Sequence, residues 1–515
     1  MDTYTAAAPA TLSVLQQFQA SLNASDSTFA HESGSPQSPA SLPGPAHELT
    51  QSLAKGLIGH NAIVPGPFGP KPMVYADYVA SGRALMQVEQ FVLEHVLPYY
   101  ANSHTEASYC GGYITRLRRE ARAAIARCCG ASAEHAVIFA GSGATAGINR
   151  LVNLLGVKAA VAEGRAARVI IGPYEHHSNI LPWRESGAEL IVLPECEHGG
   201  PDRDALAAAL KAPSDTLVIC AFSAASNVTG IVADVAGITR QVKQAGAKMV
   251  WDYAGGAPYL PITMMPDADA PIDALVFSPH KFIGGPGASG VLIVRRDAVT
   301  TAKPTWAGGG TVKFVSPTGH DYSDSLESRE EAGTPNVIGD IRAALALLVK
   351  ESIGEAYFKD RQAELVQRAL EKWKNVPNLE LLGSLTAQRL PIFSFRVRHP
   401  AGGLVHQQLV TRMLSDRFGI QARGGCACAG PYVHDLLDIE PEESARIREA
   451  ILSGNEIEKP GFTRLNLSIL LDDAKVEFIL NSVATLAADA SQYVDQYTFD
   501  PSRAIFTPLA NRAEV

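Results

Sequence analysis

Residues 274–296 read ALVFSPHKFIGGPGASGVLIVRR, and this stretch decides how the rest of the chain is interpreted. Its pattern predicts a short apolar strand, a polar turn that carries Ser278, His280 and Lys281, a Gly/Pro loop, and a second apolar strand. The lysine is therefore expected at the end of a strand, against backbone. Such a lysine is either a solvated surface residue or an amine whose pKa falls far enough for Schiff-base chemistry.

The composition narrows the class of protein. A chain of 515 residues favours two domains plus a tail, and its 46% hydrophobic content is typical of a globular protein. The net charge of −9 offers no extended basic field for nucleic acid or an anionic membrane surface. No apolar run approaches the roughly 20 residues that a bilayer span requires. We therefore expect neither nucleic acid nor a membrane as a partner.

Cysteine usage and the N-terminal segment bear on the compartment. Seven cysteines in a chain of this length do not resemble a secreted disulfide framework, which favours a reducing, cytoplasmic setting.

Residues 1–55 are rich in Ser, Ala and Pro, and their first basic residue is Lys55, which argues against a Sec signal or an Arg-rich transit peptide. We expect a disordered extension over 1–55. The alternative is a leader for type III secretion.

A glycine-rich turn lies after the predicted strand 136–139. The turn reads AGSGAT and opens a predicted helix, so that Gly143, Ala144 and Thr145 come at the helix N-terminus. Free backbone N–H groups and the positive end of the helix dipole suit a phosphate dianion there. One such turn alone is weak evidence for a phosphate site.

Strand, loop and helix alternate from about residue 136 to residue 294. This repetition predicts an α/β fold with a mostly parallel sheet, in which polar residues collect at the carboxyl ends of the strands. His176, Asn227 and Asp252 each follow a predicted strand. Each is either a local cap or turn residue, or part of one site at that edge. We expect a large domain over 56–345 and a smaller α+β domain over 346–515.

Several of these motifs together resemble the class V aminotransferase and cysteine desulfurase family. Ser278-x-His280-Lys281 with the following GGPGASG is similar to the family's cofactor-lysine signature. The segments EHHSNILPW and EAGTPN are similar to two further family motifs, and the resemblance extends from about residue 75 to residue 471. It implies a fold type I enzyme that uses pyridoxal 5′-phosphate, acts on an amino acid and forms a homodimer with shared active sites.

The resemblance also implies a role for each matched residue. Lys281 would form the Schiff base with the cofactor, His176 would stack on the pyridine ring, and Asp252 would face the ring nitrogen, where a carboxylate keeps the ring an electron sink. Asn227 would contact the phenolic oxygen of the cofactor. The remaining implied cofactor contacts are Gly143, Ala144, Thr145, Ser278, His280 and, toward the phosphate held by the other subunit, Thr334.

The segment ARGGCACAGPY, residues 422–432, bears on the reaction type. Cys428 lies five positions after Arg423, the spacing at which the family's desulfurases carry a nucleophilic cysteine; the alternative is a structural thiol. Two thiolates in Cys426-x-Cys428 do not complete a tetrahedral metal site, so we expect no metal. Further along, Arg464 resembles the arginine that binds the substrate carboxylate, and Arg423 is a second candidate for that role.

The resemblance predicts a cysteine desulfurase-like enzyme that transfers sulfur through a persulfide on Cys428 to an acceptor protein. Two departures from the family pattern are Gly255, where desulfurases usually carry glutamine, and Cys426, where histidine is common. The alternatives are a class V aminotransferase or carbon-sulfur lyase, in which Cys428 is dispensable, and a secreted effector or scaffold without catalysis.

Overall fold

The computed structural model describes residues 12–23, 44–103 and 105–509. The helices of these residues are α1 (Val14–Asn23), α2 (Pro45–Gly56), α3 (Met86–Phe91), α4 (Tyr109–Cys128), α5 (Gly143–Leu154), α6 (Val157–Ala162), α7 (Leu181–Glu185), α8 (Arg203–Ala209), α9 (Val235–Gln244), α10 (Leu326–Glu330), α11 (Val337–Ile353), α12 (Glu355–Trp373), α13 (Gln407–Phe418), α14 (Gly430–Leu436), α15 (Pro441–Leu452) and α16 (Asp473–Val494). None of them is both long and apolar enough to cross a bilayer.

The strands of the described residues form one large sheet, one smaller sheet and several short pairs. They are β1 (Ile63–Val64), β2 (Lys71–Pro72), β3 (Val74–Tyr75), β4 (His135–Gly141), β5 (Ala167–Ile171), β6 (Glu189–Val192), β7 (Leu217–Ser223), β8 (Lys248–Asp252), β9 (Ala274–Phe277), β10 (Gly290–Arg295), β11 (Val312–Val315), β12 (His320–Tyr322), β13 (Leu379–Leu381), β14 (Ile392–Arg398), β15 (Leu404–Val405), β16 (Ile420–Gln421), β17 (Arg423–Gly425), β18 (Phe462–Asn466), β19 (Tyr497–Asp500) and β20 (Ile505–Pro508).

The large sheet has seven strands in the order β4-β10-β9-β8-β7-β5-β6. Strands β9, β8, β7, β5 and β6 run parallel, whereas β10 is antiparallel to both of its neighbours. All four residues of β9 are buried, which explains their continuous apolar sequence, because helices cover both faces of such a sheet. The predicted α/β architecture with a mostly parallel sheet is confirmed.

The smaller sheet is antiparallel and lies in the C-terminal half. Its order is β13-β14-β18-β17, with β15 added beside β14. Helices α12, α13 and α16 contribute buried residues to the core that packs against it. The short strand β3 pairs in parallel with β16, so the segment that precedes the large sheet is bound to the smaller domain. This connection brings the residues after β3 close to β17 and β18.

The expected boundary between residues 345 and 346 falls inside α11. The whole helix, including Ile353 at its C-terminal end, packs into the core of the large domain. The helix thus continues the large domain past the expected boundary.

Two parts of the segment predicted to be disordered differ from that expectation. Helix α1 buries Leu15, Phe18 and Leu22 in the main core, where Phe18 meets Phe91 edge to face at 5.2 Å between ring centroids. Helix α2 buries Thr50 and Leu53. The prediction of disorder is therefore wrong for α1 and α2. It also covers residues 1–11 and 24–43, which lie outside the described residues.

Candidate active site

The carboxyl ends of the central strands bring Asp252 and Lys281 to one edge of the sheet. Asp252 is the last residue of β8, and Lys281 ends a short 3-10 helix, Pro279–Lys281, that follows the neighbouring strand β9. Burial raises the pKa of the Asp252 carboxyl, which accepts a hydrogen bond from Ala254 N at 2.8 Å. Burial also lowers the pKa of the Lys281 amine to about 8, although the charge of Asp252 opposes this shift. The amine thus has a substantial neutral fraction at mildly alkaline pH.

The glycine-rich turn lies directly beside the lysine segment. Ala144 N at the start of α5 donates to Ser278 Oγ at 2.9 Å. Gly143 has φ +63°, and a Cβ at this position would lie 3.0 Å from Ser278 Oγ and 3.3 Å from His280 Cε1. Only glycine fits both the backbone conformation and the space. The helix N-terminus, Ser278 and His280 therefore form one cradle.

His176 is connected to this cradle through Ser178. Burial lowers its pKa to about 4, and the charges of Lys281, His177 and Arg464 add to the effect. Its Nδ1 accepts a hydrogen bond from Ser178 N at 3.1 Å, so the ring is neutral at physiological pH with the proton on Nε2. Ser178 Oγ is also 2.7 Å from Thr145 Oγ1, which connects the histidine to the first turn of α5.

Arg464 is buried on β18, and its Nε has no hydrogen-bond partner. Its Nη1 donates to Asn227 O at 2.9 Å and its Nη2 to Asp77 Oδ1 at 3.1 Å. The exposed Arg423 lies opposite Arg464 in the sheet and donates from Nε to Asp77 Oδ2 at 2.9 Å. An unpaired buried guanidinium N–H is costly, which makes this position suited to an incoming carboxylate.

Asp77 is a site residue that was not predicted from the sequence. It lies two residues after β3 and bridges both arginines. An aspartate after a two-residue strand has no distinctive local pattern, and the only available signal was its place in the turn that precedes Ala80-Ser81-Gly82.

Asn227 and Gly255 lie side by side. Asn227 Nδ2 donates to Ala427 O at 2.8 Å, so in this structure the amide holds the segment that carries Cys428. A Cβ on Gly255 would lie 3.0 Å from Ala225 O and 3.6 Å from Asn227 Cβ. A glutamine at position 255 would therefore press on the backbone that presents Asn227. This crowding gives a local reason for the glycine.

Cys428 is exposed in the loop between β17 and α14, whereas Cys426 is half-buried against the apolar cluster around Tyr174 and Tyr432. The residues Ala427 and Cys428 have φ values of 50° and 56°, a left-handed conformation that side chains disfavour. Asn227 joins this loop to Arg464, because its Nδ2 donates to Ala427 O at 2.8 Å and its backbone O accepts from Arg464 Nη1 at 2.9 Å.

Thr334 is not part of this cluster within one chain. It is exposed in the loop before α11, and its predicted contact with the other subunit's phosphate stays a prediction. Among the described residues there is no group of three or more His, Cys, Asp or Glu side chains that would hold a metal ion.

The residues present fit pyridoxal phosphate. The Gly143 cradle offers backbone donors and hydroxyls to a phosphate, the neutral His176 ring offers a face for stacking, and the buried Asp252 offers a carboxylate for a protonated ring nitrogen. Lys281 provides the amine, and Arg464 Nε is an unpaired donor for a substrate carboxylate.

The chain is similar in sequence to known proteins. Residues 74–456 match the family model for aminotransferase class V. A cysteine desulfurase from Pectobacterium atrosepticum is 32% identical over 369 residues, which cover 70% of this chain and 86% of the relative. A probable cysteine desulfurase from Staphylococcus epidermidis is 29% identical over 383 residues, which cover 74% of this chain and 88% of the relative.

Solved structures share the fold. A cysteine desulfurase from Thermococcus onnurineus superposes with a TM-score of 0.69 at 24% identity and covers 85% of this chain and 98% of its own. A cysteine desulfurase from Escherichia coli gives a TM-score of 0.63, also at 24% identity, with coverage of 81% and 94%. The predicted fold type I is thereby confirmed. The chain belongs to the class V aminotransferase family of pyridoxal phosphate-dependent enzymes, together with the cysteine desulfurases that it resembles in sequence and fold.

Proposed function

We propose that the protein is a cysteine desulfurase that takes sulfur from L-cysteine and carries it as a persulfide on Cys428. The observation that carries this proposal is an exposed thiol on a loop that Asn227 joins to Arg464, through hydrogen bonds to Ala427 O at 2.8 Å and from Arg464 Nη1 at 2.9 Å. A nucleophile that must reach a substrate and then release sulfur to an acceptor has to be accessible from both sides.

The proposed roles follow from the contacts of each residue. Gly143, Ala144, Thr145, Ser278 and His280 would hold the phosphate of pyridoxal 5′-phosphate. His176 would cover the ring, Asn227 would lie near its phenolic oxygen, and Asp252 would hold a proton on its nitrogen. When bound, the cofactor supplies an electron sink for bonds that break at the substrate Cα.

The chain's own groups position the substrate and move its protons. Arg464 binds the substrate carboxylate through Nε, and Arg423 adds a second positive charge at the exposed side of the same site. Lys281, which lies in the same cleft, holds the cofactor and then takes and returns the Cα proton. An amine with a pKa of about 8 suits this exchange, because both protonation states are accessible near neutral pH.

The sulfur-transfer step balances without an added oxidant. The Cys428 thiolate attacks the sulfur of cysteine, a sulfur–sulfur bond forms and the carbon–sulfur bond breaks. The electron pair stays with the carbon, which takes up a proton, so the products are alanine and a Cys428 persulfide. An acceptor protein thiol, or an added thiol reductant, then removes the outer sulfur.

The assembly and setting follow as parts of the same proposal. We expect a homodimer in which Thr334 of each chain reaches the phosphate of the other, a cytoplasmic enzyme, and a protein thiol as the sulfur acceptor. The exposed position of Thr334 supports its availability to a second chain.

The test measures alanine and sulfide from L-cysteine with a thiol reductant, in wild type and in Cys428→Ser, Lys281→Ala and Cys426→Ser. We expect both products to fall at least about 100-fold in the first two variants. Cys426→Ser is the matched control because it removes the neighbouring, half-buried thiol, and it should keep most of the activity.

Three outcomes would overturn the proposal. Alanine formation that survives in Cys428→Ser favours a carbon-sulfur lyase, and amino-group transfer to a keto acid without sulfide favours an aminotransferase. Purified protein that neither binds pyridoxal phosphate nor shows its visible absorbance favours a scaffold without catalysis.

A further inference from the structure

We propose that His177 is a positioning residue that holds the Cys428 loop, residues 426–430, over the active site. The kinetic effect expected below depends on the function proposed above. The contact between His177 and the Cys428 loop does not depend on it.

His177 contacts the loop on both sides of Cys428. Its backbone N–H donates to Cys428 O at 2.8 Å, and its ring Nε2 accepts a hydrogen bond from Gly430 N at 2.9 Å. The space beside Gly430 is filled by this ring, because a Cβ there would lie 3.0 Å from Nε2. One residue therefore brackets the proposed nucleophile, and the glycine permits the close approach.

The loop needs such external contacts. Ala427 and Cys428 are consecutive residues in the left-handed region, which carries a steric cost for every residue with a Cβ. A conformation of this kind persists where surrounding groups hold it. Besides the two bonds from His177, Asn227 Nδ2 donates to Ala427 O at 2.8 Å. Three hydrogen bonds from the large domain thus hold the loop, at Ala427, Cys428 and Gly430.

The segment that carries His177 is held firmly in the large domain. His177 begins the short 3-10 helix His177–Asn179, and Asn179 is fully buried. Asn179 Nδ2 donates to Glu175 Oε2 at 2.7 Å and to Ala221 O at 3.1 Å, and Asn179 Oδ1 accepts from Trp183 Nε1 at 2.9 Å. A support built into the sheet in this way can fix the loop to the fraction of an ångström that a nucleophile requires.

The ring is suited to accept a hydrogen bond. Burial lowers the pKa of His177, and the positive charge of Arg184 lowers it further. The ring is therefore neutral at physiological pH and can accept the Gly430 hydrogen bond at Nε2 with its own proton on Nδ1.

The same short helix also connects the loop to the proposed cofactor cradle. Ser178, the next residue, lies 2.7 Å from Thr145 through their hydroxyl oxygens and donates from its N–H to His176 Nδ1. His176, His177 and Ser178 thus contact the ring site, the Cys428 loop and the phosphate turn in sequence. This one segment therefore sets the position of Cys428 relative to the proposed cofactor site.

The test compares hydrogen–deuterium exchange of wild type, His177→Ala and His177→Gln, all loaded with pyridoxal phosphate. Alanine removes the acceptor of the Gly430 N–H, whereas a glutamine amide oxygen restores one near the same place. We expect peptides that span residues 426–432 to exchange about fivefold faster in His177→Ala and to return toward wild type in His177→Gln. Peptides from β4, β8 and β9 should not change.

The matched control is His399→Ala. His399 also braces a loop through a ring nitrogen, since its Nδ1 accepts from Ala401 N at 3.2 Å, but it lies in the turn between β14 and β15. This variant should leave exchange at residues 426–432 unchanged. If His177→Ala does not fold, Gly430→Ala provides a second route, because its Cβ displaces the ring while His177 stays intact.

The kinetic readout separates positioning from substrate binding. In His177→Ala we expect kcat for alanine formation from L-cysteine to fall about tenfold with KM nearly unchanged, and His177→Gln to recover most of the loss. Unchanged exchange at residues 426–432 in both His177→Ala and Gly430→Ala would overturn the proposed hold. Faster exchange with unchanged kcat would overturn its positioning role. An inactive wild type would overturn the proposed desulfurase function, and the exchange experiment would still decide the hold.

Discussion

Asp77 Oδ1 accepts a hydrogen bond from Arg464 Nη2 at 3.1 Å, and this contact orients the buried guanidinium of the proposed carboxylate site. The second oxygen of Asp77 accepts from Arg423 Nε at 2.9 Å. One carboxylate between two arginines leaves a net positive site, which matches the single negative charge of an α-carboxylate.

We predict that Arg464→Lys raises KM for the amino acid substrate about 10- to 100-fold, because a lysine cannot reproduce a charged hydrogen bond from Nε while also reaching Asp77 and Asn227 O. Steady-state kinetics on the cofactor-loaded protein measure this change. Arg412→Lys is the matched control, since Arg412 forms an Arg–Asp pair with Asp416 within α13. A KM unchanged in Arg464→Lys would contradict the assignment.

We predict that the Lys281 amine of the cofactor-free protein titrates near pH 8. Burial disfavours the charged amine, so the neutral, reactive form accumulates as the pH rises through that value. Because the charge of Asp252 raises the pKa of Lys281, Asp252→Asn should move the midpoint to lower pH. Rates of amine labelling at Lys281 as a function of pH, followed by peptide mass spectrometry, measure the midpoint.

Asp324→Asn serves as the control for this titration. Asp324 pairs with Lys313 on the exposed β11–β12 hairpin, so its charge should not affect Lys281. A midpoint in the range of an ordinary lysine would contradict the effect of burial on the pKa of Lys281. A midpoint that rises in Asp252→Asn would contradict the effect of the Asp252 charge.

We predict that Ser278→Ala weakens binding of pyridoxal phosphate about 5- to 30-fold. The substitution removes a hydroxyl that would contact the phosphate, a loss of about 1–2 kcal/mol of binding free energy. Equilibrium titration of the cofactor by its visible absorbance gives the dissociation constant. Ser186→Ala removes a similar serine contact, from Oγ to Trp183 O in the turn after α7, and should leave cofactor affinity unchanged.

We predict that Phe18→Ala lowers the free energy of unfolding by about 3 kcal/mol, as expected when a buried aromatic side chain is removed from a packed core. Urea denaturation followed by circular dichroism measures the change. Leu12→Ala provides the control because Leu12 is 53% exposed just before α1, and it should have little effect. Equal stability of Phe18→Ala and wild type would mean that α1 does not contribute to the fold in solution.

Local patterns predicted most of the large domain. Strands β8, β9 and β10 are short apolar runs bounded by turn residues, and the glycine turn before α5 has the same kind of signal. The positions of Lys281 and Asp252 at neighbouring strand ends follow from these runs together with the topology of a parallel sheet. The cofactor residues were predicted on this basis and through the resemblance to a known family.

Other relationships had no local signal. The Asp77–Arg464 contact joins residues that are 387 positions apart, and the Asn227–Ala427 contact spans 200 positions. The core position of α1 was also missed, because ten residues with low charge and interrupted periodicity are marginal as an isolated helix.

The sequence by itself determined the strand and turn chemistry of the large domain, because side-chain periodicity and glycine turns act over a few residues. Only the tertiary structure decided which side chains support the site: the Asp77 bridge between two arginines, and the hold of His177 on the Cys428 loop. The Asp77 bridge forms because β3 pairs with β16 of the smaller domain, and the His177 contact forms where the smaller domain packs against the large one. Their energy comes from burial and hydrogen bonding between distant segments, which no local pattern records.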